Sequence, residues 1–191
     1  MKSLTPMQKL VQRHEENLKQ HPKAYFELAT GRYFGCMLFL TDESLEQNPE
    51  RIILAKEQDS SLTSFLLNVA GYDIDNIADP AAKLASIEDK DVAEFAELVD
   101  GLESGMSYAY MCIMHKGDLD WIIRIDTHHT VGHNQYFPLV RESAKTLPEL
   151  ITKAVASFKA SPYTKGSILD IPEGTDTGVV CHFEEWEATA A

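Results

Sequence analysis

One stretch limits the fold more than any other. From Ser107 to Thr127 the chain reads SYAYMCIMHKGDLDWIIRIDT, two apolar runs on either side of a polar, glycine-containing break. Runs of this length, rich in aromatic and β-branched residues, read as the two strands of a β-hairpin. With the turn at Lys116-Gly117, His115 faces Asp118, and Tyr108, Tyr110, Cys112 and Met114 share a face with Ile125, Ile123, Trp121 and Leu119. That face is wholly apolar, as a hairpin resting on a core requires, because successive strand side chains point to opposite sides. The other face pairs Ala109 with Arg124, Met111 with Ile122 and Ile113 with Asp120, and needs a helix or a second subunit, as in a homodimer, to cover it. A one-residue slip would send Trp121 and Tyr110 to water, so burial is expected to hold this register. Lys-Gly is a weaker turn signal than Asn-Gly, since Lys is ill suited to the positive φ of a tight hairpin turn.

The flanking segments supply helices. Thr5-Pro6-Met7-Gln8 combines an N-cap, a proline at the first helical position and a glutamine that can close a capping box. The helix it starts carries Met7, Leu10, Val11, His14 and Leu18 in one stripe. PKAYFELAT (22–30) reads as a second, short helix that stops at Gly31. RYFGCMLFLT (32–41) reads as a central strand buried on both faces, and RIILAK (51–56) as its neighbour. Ser60 or Ser61 caps a helix ending at Gly71, and Asp79-Pro80 starts another region that Asp89 or Asp91 can restart, which leaves 78–103 as one helix or two. HHTVGHNQYFPL reads as a loop, Thr146-Leu147-Pro148-Glu149 as the start of a strongly amphipathic helix, and SILDIP and GVVCHFEEW as two last strands. Interleaved signals of this kind predict a single α+β domain, with an antiparallel or mixed sheet of about four to six strands around the 107–127 hairpin.

A chain of 191 residues is of ordinary single-domain size and buries a sizeable core unaided. No apolar run approaches the roughly 20 residues of a membrane span, and the charged opening MKSLTPMQKLVQRHEENLKQ is no secretory signal. Cys36, Cys112 and Cys181, odd in number and each inside an apolar run, suit buried, reduced thiols in a cytoplasmic protein. Charge is uneven. Residues 42–103 hold sixteen acids and four bases, which supplies nearly all of the net charge of −13. Direct binding to nucleic acid or to an anionic membrane is disfavoured, because both demand a basic surface.

The chain lacks GxxxxGK[ST], GxGxxG after a strand, GxSxG, HExxH, CxxC and an EF-hand loop. Two features remain. The first is the acidic region 73–103, where Asp91, Glu94, Glu97, Asp100 and Glu103 form a candidate partner-binding face. Such a face suits an inhibitor, immunity protein, nucleic-acid mimic or adaptor that docks on a basic protein, nucleic-acid-binding proteins included, and needs neither cofactor nor catalytic residue. The second is Asp126, His128, His129 and His133, with His182 or Glu184 to complete a set, which gives the alternative of a metal-dependent hydrolase using Zn or Fe. Strand alternation lets Asp126 and His128 share a face but not His129, and polar loops collect His, Thr and Asn for their turn chemistry alone. A third reading, a small-ligand sensor with a pocket beside the hairpin, has aromatics in its favour but no polar pattern.

Overall fold

Backbone pairing organises the chain into two three-stranded meanders joined edge to edge. The computed structural model describes residues 4–31, 35–42, 52–102, 108–129 and 135–161. Its strands are β1 (Tyr25–Gly31), β2 (Gly35–Thr41), β3 (Ile53–Asp59), β4 (Tyr108–Lys116), β5 (Trp121–His129) and β6 (Gln135–Ala144). They form one sheet in the order β3-β2-β1-β4-β5-β6, antiparallel at every pairing. The α-helices are α1 (Pro6–Gln20), α2 (Leu62–Val69), α3 (Pro80–Ile87), α4 (Lys90–Leu102) and α5 (Leu147–Ala160), with a 3-10 turn at Ile74–Asn76. This is an α+β fold.

Local chemistry sets the helix starts. Thr5 and Gln8 close the capping box of α1, Ser61 caps α2, Asp79 caps α3 and Thr146 caps α5. Residues 78–103 make two helices, because Glu88 leaves the helical conformation at the end of α3. The apolar stripes of all five helices meet one face of the sheet. There Leu10, Phe65, Leu66, Leu84, Phe95, Leu150 and Ile151 pack with Phe26, Leu28, Leu38, Leu40, Met111, Ile113, Ile123 and Ile125 in a single core. Each such side chain contributes about 1.5–3 kcal/mol by leaving water.

Four expectations need correction. PKAYFELAT is no helix, and from Tyr25 on it is β1: the helix-forming Ala, Glu and Leu are overridden because the strand lies between β2 and β4, where pairing satisfies its backbone on both sides. β1 and β4 are therefore the central strands, and β2 lies one strand from the β3 edge. β3 itself runs over 53–59 instead of 51–56. HHTVGHNQYFPL is not simply a loop. Its first two residues end β5 and its last five belong to β6, an edge strand that tolerates Pro138 beside a bulge. The segments SILDIP and GVVCHFEEW lie outside the described residues.

The fourth correction reorders the hairpin. Met114 sits opposite Ile122 instead of Leu119, a three-residue shift that moves every pair. A two-residue turn would demand positive φ at Lys116, whereas here Gly117 alone adopts it, at 57°, in a longer connection closed by Leu119 N–H to the Lys116 carbonyl at 3.0 Å. An odd shift exchanges the faces. Trp121, Ile123 and Ile125 do face the core, but with Met111 and Ile113 as companions. Tyr110, Cys112 and Met114 turn to the other side, where they join Tyr25 and Ala29 in a small cluster that contains no helix residue.

Candidate functional site

The acidic region divides into acids that hold the fold and acids that face water. Asp100 accepts the first N–H groups of α2, from Leu62 at 2.9 Å and Thr63 at 3.0 Å, and so reinforces the Ser61 cap. Glu88 is buried and accepts Met7 N–H at 2.8 Å, at the start of α1. Asp91 accepts from the Thr152 hydroxyl at 2.6 Å and Glu94 pairs with Lys159, which ties α4 to α5. Of the predicted partner-binding acids, Asp91, Glu94 and Asp100 thus make contacts within the fold, Glu97 is exposed, and Glu103 lies outside the described residues. Asp73, Asp75, Asp79 and Asp89 are exposed as well.

Two of those exposed acids shape a concavity. Asp73 and Asp75, with Asp59 from the end of β3, Asn68 from α2 and Tyr72, line an open cleft of about 460 Å³. Asp73 fixes its floor by accepting from Asp75 N–H at 3.3 Å and from Asn76 at 2.6 Å. The Lys83 ammonium lies 4.1 Å from the centre of the Tyr72 ring, a geometry in which the negative ring face attracts a cation.

Of the second candidate set, Asp126, His128 and His129 lie on β5. Asp126 is buried, 3% exposed, with one carboxylate oxygen bonded by Arg124 and the Arg141 guanidinium 3.8 Å from the other. Burial raises its pKa, and the two arginines oppose that rise. His128 stands in register with Tyr108 and Tyr136, and His129 with Gln135. His133, His182 and Glu184 lie outside the described residues. Among the described residues no three His, Cys, Asp or Glu side chains gather in a metal-binding group.

The reordered hairpin brings together polar residues that the predicted register kept apart. Ala29, Cys112, Arg124 and Arg141 line up across β1, β4, β5 and β6, with Tyr110 and Asp126 paired in the next row. Tyr110 and Cys112 are hydrogen-bonded side chains, and the Cys112 thiol lies 3.9 Å from a Glu27 oxygen. Burial first, then the neighbouring Glu27, holds that thiol well above its ordinary range and therefore unreactive. The signal in the sequence was Arg124, a full charge between Ile123 and Ile125. Only a strand whose second face is polar accommodates it.

The core face also holds a buried histidine pair. His14 Nε2 and His115 Nδ1 are 2.9 Å apart, the His115 ring stacks on Trp121 at 4.4 Å, and Phe26 lies 5.4 Å from His14. Burial and the neighbouring His115 push the His14 pKa down to about 3, and burial lowers that of His115 against the opposing Leu119 backbone and Asp120. Both rings are neutral in the fold. His14 is thus a packed histidine that anchors α1 to the sheet.

No family model matches the chain, and neither a curated protein nor a solved structure is detectably similar to it. No described helix is long and apolar enough to cross a membrane.

Proposed function

We propose that this is a cytoplasmic interaction protein that captures a basic protein partner on the outer surface of its α2–α4 layer, in the manner of an inhibitor, immunity protein, nucleic-acid mimic or adaptor. The observation that carries this reading is the cleft of Asp59, Asp73, Asp75 and Tyr72. It stands in a region, 73–103, with ten acids and two bases. Three carboxylates beside a ring that already receives an ammonium suit a lysine or arginine side chain. The exposed Asp79, Asp89 and Glu97 extend the negative field, which speeds encounter with a basic surface and disfavours acidic ones.

The test uses a synthetic arginine- and lysine-rich peptide, with a glutamate-rich peptide as control. Calorimetry at low ionic strength should detect the basic peptide alone, with affinity that falls as salt rises. The Asp73→Lys/Asp75→Lys variant should lose most of that affinity while its circular dichroism is unchanged. Undiminished binding by this variant would remove the cleft from the reading.

A further inference from the structure

We propose that α1 is an acid-released latch: protonation of His14 detaches it as a unit from the sheet, while the sheet and the other four helices stay folded. The starting point is the surroundings of one ring. His14 is fully buried, and its hydrogen-bond partner is His115, with 2.9 Å between Nε2 and Nδ1. The other nitrogen, His14 Nδ1, is buried and bonded to nothing. A charged imidazole carries an N–H on both nitrogens, so a proton added here creates a buried donor with no acceptor. Among the described residues no opposite charge faces the ring. Phe26 of β1 and Trp121 of β5 pack against it, and α2, LTSFLLNV, holds no acid or base. From β4 comes a second imidazole, His115, while Asp120 acts on His115 and is itself paired with Lys145.

Little else that is polar holds α1 down. Among the described residues three contacts of this kind reach the rest of the fold: Met7 N–H to the buried Glu88 at 2.8 Å, Arg13 to Glu57 on β3, and the histidine pair. Arg13 and Glu57 are 43% and 39% exposed, so solvent screens that pair. Pro6, Met7 and Leu10 are the buried apolar residues of the helix. Once released, His14 meets water and takes its proton at the ordinary histidine value near 6.5, whereas the docked ring resists protonation down to about 3. Release is therefore favoured below the first value, increasingly as pH falls, and the docked helix belongs to neutral pH. Detachment uncovers Phe26 and Trp121, an apolar surface that neutral pH keeps closed. The acidic cleft has no part in this device.

Hydrogen exchange of the full chain, read by mass spectrometry and corrected for intrinsic rates, follows α1 and the strands separately from about pH 7 to about pH 5, above the ordinary carboxylate range. Protection of α1 should fall about tenfold between about pH 6 and pH 5, for the one proton His14 takes up, while β1, β4 and β5 keep theirs. In His14→Gln, which retains an amide to meet His115 but has no proton to gain, α1 protection should stay level over the same range. Should that variant fail to fold, nuclear magnetic resonance of the parent decides: the His14 ring should become charged over the same pH range in which the α1 amides exchange. The inference is overturned if α1 protection ignores pH, if the strands lose protection along with α1, if folded His14→Gln behaves as the parent does, or if His14 becomes charged while α1 stays protected.

Discussion

The two faces of the sheet are built from the same strands and follow different rules. On one, Phe26, Leu28, Met111, Ile113, Ile123 and Ile125 are all 1% exposed or less, and five helices cover them. On the other, the alternate residues of those strands include Glu27, Tyr110, Cys112, Arg124 and Asp126, with a four-residue buried cluster in place of a continuous core. A strand's period of two allows this division, since each residue commits to one side. Stability is concentrated on the first face, which leaves the second free to vary chemically at little cost to the fold.

The comparison can be broken most directly by truncation. Phe26→Ala should cost about 3–5 kcal/mol in urea unfolding. Met114→Ala, buried on the other face against few apolar neighbours, should cost less than half as much, and equal losses would show that both faces carry the fold. A pH series sharpens it, because the two faces titrate in opposite senses. His14 and His115 both have pKa values lowered from 6.5 by burial, so their contribution is full above that pH and is lost as pH falls, for His14 toward about 3. The slope reaches up to about 1.4 kcal/mol per pH unit for each histidine. Asp126 works the other way. Its pKa is raised from 3.8, so the folded chain holds a proton that the unfolded chain has released, and stability declines as pH rises through that window. His14→Leu should flatten the acid limb measured by thermal unfolding, and Asp126→Asn should steepen it.

Smaller effects separate structural acids from surface ones. Asp100→Ala should lower stability by about 0.5–2 kcal/mol through the loss of its bonds to the start of α2. Glu97→Ala, exposed on the same helix, should stay within about 0.5 kcal/mol. If both behave alike in chemical denaturation, the division of the acidic layer drawn from its hydrogen bonds is wrong.

Much of the fold is legible in the residues. Capping chemistry and a 3.6-residue apolar period are local, so α1, α2 and α5 follow directly from Thr5-Pro6, Ser61 and Thr146. Strands depend on distant partners. β1 could not be recognised from PKAYFELAT because its reason for being extended, pairing with both β2 and β4, lies elsewhere in the chain. The polar row was hidden by one decision about a turn, since a three-residue shift is enough to trade Cys112 and Arg124 for Met111 and Ile123 as the pair across the core face. For the acids, charge could be counted from sequence but use could not: nothing in the sequence distinguishes Asp100, which binds two backbone N–H groups, from Glu97, which binds none of those.

The order of strands also sets a timetable. β1–β2–β3 and β4–β5–β6 each pair with their nearest neighbours in sequence, through short excursions that close quickly. The join between them is a single antiparallel seam from Tyr25↔Lys116 to Gly31↔Tyr110, which must close around everything from β2 to α4. On a ribosome the N-terminal meander therefore waits, one long edge of β1 uncovered, until β4 has emerged. Closing that seam carries a larger loop entropy than the other pairings, and the exposed edge of the nascent chain is the point at which it is most open to pairing with the wrong strand.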